Sequence, residues 1–153
     1  EDGIALIHTI GHVGPANESD PWIVKYIFPG GYTPALSEIQ KSVDRQYLVS
    51  ADIEALRLHY ARTLRAWYER FTVNQDKAAV LYDDRFVRMW RWYLLTMEAS
   101  FTVGRLLVYQ LQLSKTLHAV PITRDYLYGD DAEPGTGLGT TPVTDVAQQR
   151  AAE

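Results

Sequence analysis

The sequence predicts an α/β domain in which a mostly parallel sheet lies beneath helices. Residues 3–7 (GIALI) form a continuous apolar run without period-two alternation, and the polar pair His8-Thr9 follows it. Such a run is typical of a strand buried on both faces, as in a parallel sheet covered by helices. Two long helical stripes further along the chain would supply that cover. Because such sheets bind ligands beyond the carboxyl ends of their strands, His8 and Ile10 are the first candidate site residues.

The composition is that of a globular domain. The chain has 153 residues, of which 46% are hydrophobic, and its formal net charge is −4. This length can bury a core, and the negative charge without a Lys/Arg cluster argues against a nucleic-acid groove. The absence of cysteine excludes a disulfide framework and a thiolate metal site. No apolar run reaches the ~18 residues of a membrane span and no signal peptide is visible, so we expect a protein that is soluble or peripheral to a membrane.

Loop-forming residues and a helix start divide the first third of the chain. Residues 15–21 (PANESDP) predict a loop, because two prolines bracket small and acidic residues. The aromatic segment 22–28 (WIVKYIF) lies between this loop and a Pro-Gly-Gly turn, and its pattern fits either a short helix or a covering flap. Thr33 as cap and Pro34 at the first helical position then predict a helix that ends near Arg45.

The middle of the chain alternates strand and helix patterns. Apolar side chains recur at intervals of three and four residues in the helical segments, whereas the strands are short and bounded by polar residues. The predicted elements are a second strand within 46–56, a long helix from about Leu58, a short helix or turn at 76–81, a third long helix from a cap at Asp83 or Asp84 through Phe101, and a third strand at 106–113.

The last 25 residues differ in composition from the rest. Residues 129–153 are rich in glycine and proline and contain almost no large apolar side chain. Burial there cannot offset the entropy of ordering, so we predict a folded portion at 1–128 and a flexible C-terminal tail at 129–153. The glycines of 135–139 (GTGLG) do not predict a cofactor loop, because no strand precedes them and no helix pattern follows.

The number of strands is small for the predicted fold. A strand of the doubly buried type needs a neighbour on each side, and only three strands are predicted in all. Either other strands come from elsewhere, or the chain is the C-terminal part of a larger α/β domain. We favour the second interpretation.

Six short blocks occur in one order along the chain, and together they carry a specific resemblance. From about Gly3 to Lys115 the chain resembles the C-terminal part of cyclopropane-fatty-acyl-phospholipid synthase and related fatty-acyl methyltransferases. The blocks are 8–11 (HTIG), 20–23 (DPWI), 25–31 (KYIFPGG), 59–64 (HYARTL), 67–71 (WYERF) and 85–90 (RFVRMW).

The resemblance implies a Rossmann-like (class I) S-adenosylmethionine-dependent methyltransferase fold with a helical insertion over the sheet. Only the last three strands of that fold and the insertion have counterparts here. The cofactor-binding first half, with its glycine-rich loop, has none. The resemblance therefore implies that the isolated chain binds no S-adenosylmethionine, is inactive, and requires the remaining N-terminal part of the same domain.

The resemblance also implies a chemistry. Such enzymes transfer a methyl or methylene unit to the cis double bond of unsaturated acyl chains of phospholipids, through a carbocation and with a bound bicarbonate as base. His8, Ile10 (through its backbone) and Tyr60 fall on the bicarbonate-binding positions. An alkene is a poor nucleophile, so such a site must exclude water and hold a base near the cation. Without the resemblance, His8 would be an ordinary strand-end histidine and Tyr60 a core residue.

Five further residues are candidates for the acyl-binding surface. Tyr93, Met97 and Phe101 follow one another at four-residue intervals and share a helix face, which composition alone would assign to ordinary core. The resemblance places them along an acyl channel. Tyr26 and Phe28 belong to the aromatic segment, which is either core or a flap against the acyl chain.

The partners and location follow from the same resemblance. We expect phospholipids with unsaturated acyl chains, peripheral association with the inner face of the membrane from the cytoplasm, and no nucleic acid; a homo-oligomer is left open. The four histidines show no metal-ligand spacing, so no metal is predicted. The alternative function is a non-catalytic lipid-binding or interaction fragment that lacks the cofactor site.

Overall fold

The computed structural model describes residues 3–128. Residues up to Val120 belong to one compact unit, and those from Pro121 onward belong to a second, whose regular structure within the described range is a single 3₁₀ turn at Asp125–Leu127. The predicted tail at 129–153 lies outside the described residues. The elements of the first unit are β1 (Ile4–His12), α1 (Pro21–Tyr26), α2 (Leu36–Arg45), β2 (Val49–Leu56), α3 (His59–Val73), α4 (Gln75–Leu81), α5 (Asp84–Thr102) and β3 (Leu106–Ser114).

The sheet has the order β1-β3-β2, and both of its ladders are antiparallel. The prediction of mostly parallel pairing is therefore wrong for these three strands. The last strand returns between the first two, so β1 and β2 run in the same direction but do not pair with each other. The connection from β1 to β2 contains α1 and α2, and the connection from β2 to β3 contains α3 to α5. α1 packs with α3 and α5 on one face of the sheet, whereas α2 packs on the other face.

The first strand differs from its prediction in length and in burial. It continues through His12, because His8 and Thr9 pair with Gln110 and Tyr109 of β3 and do not end the strand. Its first five residues are exposed, and the side chain of Leu6 is 66% accessible. The expectation of a strand buried on both faces is wrong for the described residues, because the helices do not cover the first half of β1: among its apolar side chains, only Ile10 packs into one of the two cores.

The two faces of the sheet bury different sets of side chains. On one face, Ile10, Val108 and Leu56 occupy matching positions of the three strands and pack into a core with α3 and α5. On the other face, alternate residues of β3 pack beneath α2. Successive side chains of a strand point to opposite faces, so one central strand supports both cores.

Local capping explains where the helices begin. The Asp20 carboxylate accepts hydrogen bonds from the backbone N–H groups of Trp22 and Ile23 at 2.9 and 3.1 Å, which makes the aromatic segment a short helix. Of the two acidic candidates, Asp83 is the cap of α5, and its carboxylate accepts from the N–H of Phe86 at 2.6 Å. Such caps satisfy N–H groups that have no partner within the helix.

The start of α2 is two residues later than predicted. The N–H of His12 donates to the carbonyl of Pro34 at 3.1 Å, and Ala35 forms a parallel bridge with His12. This contact holds Pro34 in extended chain beside β1, so it cannot be the first helical residue. The cap is Ala35, whose N–H donates to the Glu38 carboxylate at 2.8 Å.

Candidate active site

A hydrogen-bonded row of three polar side chains crosses the sheet. His8 lies in the middle of β1 opposite Gln110 of β3, which in turn lies opposite Glu54 of β2. The His8 Nδ1 and Gln110 Oε1 atoms are 3.2 Å apart, and Gln110 Nε2 donates to Glu54 Oε2 at 3.0 Å. We call His8, Gln110 and Glu54 the polar row.

The polar row fixes the orientation of the imidazole. An ionised carboxylate only accepts hydrogen bonds, so the NH₂ of Gln110 faces Glu54 and its oxygen faces His8. The hydrogen of the His8 contact must then be on Nδ1. This leaves Nε2 of His8 outside the row, where it is available to another group.

The backbone of Ile10 points away from β3. The N–H of Val13 donates to Arg105 on the β3 side at 2.8 Å, whereas the N–H of His12 donates to Pro34 on the opposite side. Backbone groups alternate along an antiparallel strand, so the N–H of Ile10 points to the same side as that of His12. It therefore lies on the open edge of β1, and the Thr9 hydroxyl donates to the Ile10 carbonyl at 3.0 Å.

Tyr60 reaches the same face of the sheet from the first turn of α3. Its ring lies 4.9 Å from that of Phe101 and edge-on to Trp67 at 5.8 Å, in the core against which Ile10 also packs. His8 and Ile10, two residues apart on β1, point to this face. Burial raises the pKa of Tyr60, so its hydroxyl is protonated at neutral pH and can donate.

The candidate acyl-binding residues divide into buried and exposed members. Tyr93 and Phe101 are buried and Met97 packs beside them. Phe28 is half exposed and meets Tyr93 edge-on at 6.0 Å, while Tyr26 is exposed on α1. Burial raises the pKa of Tyr93, with a smaller contribution from Tyr60. The structure thus brings Phe28 to Tyr93, and Tyr60 to Phe101 at the other end of α5, in one apolar wall that also belongs to the core.

Sequence reasoning missed Gln110 and Glu54. The signal for Gln110 was the partial alternation of 106–113 (LLVYQLQL), in which the glutamine replaces an apolar residue on the face that carries Val108. Glu54 had no local signal, since its relation to His8 depends on the register of two ladders.

A second polar cluster lies where β1 meets α2. The Tyr32 hydroxyl donates to Glu38 at 2.6 Å, and this bond, together with the N–H of Ala35, lowers the pKa of Glu38. His12 contributes a smaller electrostatic effect, and its Nε2 is buried without a hydrogen-bond partner among residues 3–128. This cluster anchors the start of α2 to the end of β1.

Two further properties concern all described residues. Among residues 3–128 there is no group of three or more His, Cys, Asp or Glu side chains that could hold a metal ion. In the same range, no helix combines the length and the apolar character needed to cross a bilayer.

The strand order and the helices above it define the class of protein: this is the C-terminal part of a Rossmann-like methyltransferase fold with a helical insertion over the sheet. The cyclopropane synthase MmaA2 of Mycobacterium tuberculosis superposes on 74% of this chain and 45% of its own, with a TM-score of 0.67 and 26% identity. The mycolic acid cyclopropane synthase CmaA1, solved with SAH and CTAB, gives a TM-score of 0.66 at 25% identity over 74% of this chain and 44% of its own. The predicted fold class is confirmed.

Residues 1–111 match the family described as mycolic acid cyclopropane synthetase, and the chain belongs to this family. It is 36% identical over 114 residues to the cyclopropane-fatty-acyl-phospholipid synthase of Escherichia coli (strain K12), which covers 74% of this chain and 30% of that protein. It is 47% identical over 94 residues to the tuberculostearic acid methyltransferase UfaA1 of Mycobacterium tuberculosis, covering 60% and 22% respectively. The predicted resemblance is confirmed, and the chain spans about a third or less of these curated relatives.

Proposed function

We propose that this chain is the substrate-side part of a fatty-acyl methyltransferase that uses S-adenosylmethionine. The observation that carries the proposal is that His8 and Ile10 point to the face of the sheet on which Tyr60 packs, in a member of this family. Two relatives are named "Cyclopropane-fatty-acyl-phospholipid synthase" and "Probable fatty acid methyltransferase".

The cofactor belongs, in this proposal, to the remaining N-terminal part of the same domain. The edge of β1 that points away from β3 is open along most of its length within the described residues, and its apolar side chains Ile4, Leu6 and Ile7 are 49%, 66% and 39% exposed. An open strand edge with apolar side chains favours addition of another strand. We expect the added part to carry the glycine-rich loop for S-adenosylmethionine, so that this chain alone is inactive.

The proposed reaction converts a cis-alkene to a cyclopropane. The alkene carbon attacks the sulfonium methyl; a C–C bond forms, the S–CH₃ bond breaks, and a carbocation remains on the acyl chain. Loss of a proton from the new methyl group closes the ring. Loss of a different proton leaves a methyl- or methylene-branched chain instead.

Three hydrogen-bond donors of this chain are the proposed ligands of a small oxyanion beside the reacting carbon. They are Nε2 of His8 in its doubly protonated form, the hydroxyl of Tyr60 and the outward N–H of Ile10. A bicarbonate bound there would supply the base for the departing proton, and the three donors would stabilise its charge. The raised pKa of Tyr60 keeps the phenol able to donate. Gln110 and Glu54 are positioning residues, because they hold the imidazole by Nδ1.

The apolar wall excludes water from the cation. Tyr93, Met97 and Phe101 line one side of α5, and Phe28 contacts Tyr93 from the segment after α1. Together with Tyr26 they form the proposed acyl-binding surface. A carbocation formed against such a wall is protected from capture by water, and the bound anion is then the nearest base.

The alternative is a non-catalytic lipid-binding fragment. It is favoured by the presence of the apolar wall in a chain whose described elements include no glycine-rich loop between a strand and a helix. This alternative predicts lipid binding without methyl transfer even when a cofactor-binding half is supplied.

The test joins the chain to a cofactor-binding half in one polypeptide, either its own upstream sequence or the corresponding region of the Escherichia coli relative. We call this polypeptide the assembled enzyme. The enzyme is incubated with S-adenosylmethionine carrying a deuterated methyl group and with dioleoyl phospholipid, and the lipids are analysed by mass spectrometry. We expect addition of one labelled carbon unit per acyl chain. Saturated phospholipid is the matched control. Lipid binding without any gain on an unsaturated lipid would favour the alternative.

A further inference from the structure

A cavity of about 430 Å³ lies between α1 and the first half of α5. Its walls are aromatic: Trp22 and Trp92 meet edge-on with ring centroids 4.1 Å apart, and Trp92 and Tyr26 are 47% and 44% exposed. The lining residues are Trp22, Tyr26, Arg85, Arg88, Met89 and Trp92.

The two arginines of this cavity are uncompensated. Arg85 and Arg88, one turn apart on α5, are exposed and make no ion pair or hydrogen bond within the described range. Arg65, by contrast, pairs with Glu98 at 2.9 Å, and Arg91 donates to the Tyr68 hydroxyl at 3.2 Å.

The carboxylates nearest to the cavity in sequence lie at the N-terminal ends of α1 and α5. Asp20 caps α1, and Asp83 caps α5. Asp84 lies in the first turn of α5, where negative charge favours the helix dipole. Lys25 adds a further positive charge from α1, 5.1 Å from the Tyr26 ring. The cavity therefore has an apolar floor, with the guanidinium groups of Arg85 and Arg88 at its rim.

We propose that this cavity binds the phosphate headgroup of a phospholipid at the bilayer surface, which extends the proposed function by assigning the headgroup site. The guanidinium groups of Arg85 and Arg88 contact the phosphate, for which their planar donor sets are suited. The tryptophan and tyrosine rings lie against the glycerol and the first methylene groups. Such amphipathic rings are typical of the membrane–water interface.

The cavity and the apolar wall share one face of α5, on which Met89 lines the cavity. Met89 is followed on the same face of α5 by Tyr93, Met97 and Phe101, and Phe101 contacts Tyr60 at the far end. From Arg88 to Phe101 the helix rises about 20 Å, at 1.5 Å per residue. This is of the order of the distance from the phosphate of a phospholipid to the middle of its acyl chain. The headgroup and the double bond would thus lie at opposite ends of this face of α5.

The geometry also defines the substrate class. A free phosphate or a soluble phosphate ester would satisfy the arginines but leave the aromatic floor exposed to water. A free fatty acid would use the floor but lacks the phosphate diester. An intact phospholipid uses both features, and its binding would place the cavity at the bilayer surface.

The experiment measures binding of the 153-residue chain to vesicles by sedimentation and by quenching of tryptophan fluorescence with lipids brominated on the acyl chain. Vesicles of phosphatidylcholine with phosphatidylglycerol are compared with phosphatidylcholine alone. The double variant Arg85→Gln/Arg88→Gln should bind the mixed vesicles about thirtyfold more weakly, since each basic residue near an anionic surface contributes roughly a factor of five. The matched control is Arg62→Gln/Arg70→Gln, which removes the same charge from exposed positions of α3.

The outcomes distinguish phospholipid binding in the cavity from general electrostatic attraction to anionic lipid and from binding of free phosphate. Equal loss in the two double variants, or vesicle binding abolished by millimolar inorganic phosphate, would overturn the proposal. Trp92→Ala should weaken quenching by brominated lipid even where Arg85 and Arg88 are present. A variant without Trp92 that binds and is quenched as the parent chain would also contradict it.

The same variants distinguish this proposal from the proposed function. In the assembled enzyme, Arg85→Gln/Arg88→Gln should raise KM for dioleoyl phospholipid about thirtyfold and leave kcat unchanged. An unchanged KM would refute the headgroup site while methyl transfer stood. Arginine-dependent vesicle binding without any methyl transfer would support the headgroup site and refute the enzyme.

Discussion

One face of the sheet has two halves that differ in chemistry although they lie two residues apart on each strand. Ile10, Val108 and Leu56 form an apolar half that α3 and α5 cover. His8 and its two hydrogen-bond partners form the polar row next to it, in which His8 and Glu54 are exposed and Gln110 is partly buried. The apolar half stabilises the fold, whereas the side chains of the polar row are not needed for the core and can take part in a site.

Exposed positions of a rigid strand are suitable places for site residues. A side chain that is exposed on a rigid strand can be exchanged at little cost to stability, whereas its buried neighbour two residues away cannot. The strand positions both with the same accuracy. Substitutions in the two halves should therefore affect different quantities: unfolding free energy in the apolar half, and turnover in the polar row.

The largest effect on stability is expected from Leu94→Ala. Leu94 is 1% exposed in the core shared by α3, α5 and the apolar half of the sheet. Removing its side chain should lower the free energy of unfolding by about 3 kcal/mol, from lost burial and the cavity left behind. Urea denaturation of the chain measures this, with His8→Ala as the comparator; a similar loss in both variants would abolish the distinction between the two halves.

A smaller effect, on turnover alone, is expected from Gln110→Leu. Loss of the amide leaves the His8 imidazole without its Nδ1 partner and Glu54 without its donor. We expect kcat of the assembled enzyme to fall about tenfold with KM unchanged, which corresponds to roughly one hydrogen bond. Glu54→Gln retains an acceptor for the Gln110 amide and should cost less. If the variant lost enough unfolding free energy to explain its lower activity, the role of Gln110 would be structural.

The open edge of β1 predicts association of the isolated chain. Leu6 is exposed, and the strand has an unpaired side. We expect concentration-dependent oligomers in sedimentation velocity, because an apolar strand edge pairs with another copy. Leu6→Lys should shift the distribution toward monomer. Leu117→Lys, which makes the same substitution at another exposed leucine outside the sheet, should not. A monomeric parent chain at all concentrations would contradict this expectation.

The smallest effect concerns the polar cluster at the start of α2. The pKa of Glu38 is lowered, chiefly by the Tyr32 hydroxyl and also by the N–H of Ala35. Its carboxylate therefore stabilises the fold above its ordinary pKa of 4.5, and this contribution is lost as the pH falls through the lowered folded-state value. Glu38→Gln should be less stable than the parent chain at neutral pH, and the difference should shrink on acidification. A constant difference in thermal midpoint across this range would rule out the linkage.

The sequence predicted the elements that depend on local pattern. The stripes of α3 and α5 and the cap at Asp83 were recognisable, because periodicity and capping act over a few residues. Burial and pairing of β1 were predicted wrongly. An apolar run such as 3–7 indicates a strand but does not predict which strands pair with it. Here the partner is β3, about a hundred residues later in the chain.

The site shows the same limit. His8, Ile10 and Tyr60 were found through blocks of resemblance, and the strand period then explains why His8 and Ile10 share a face. Glu54 and Gln110 are separated from each other by 56 residues, and His8 and Gln110 by 102. Contacts of that range arise from register, which is fixed only when the sheet has formed.

The most direct test of the central claim is turnover of the assembled enzyme carrying His8→Ala or Tyr60→Phe, measured as the mass gain of dioleoyl phospholipid. Each variant should lose about a hundredfold in kcat, the typical effect of removing one oxyanion donor, with vesicle binding unchanged. His59→Ala, an exposed neighbour of Tyr60, is the matched control and should retain full activity. Full turnover in the His8→Ala enzyme would contradict the account.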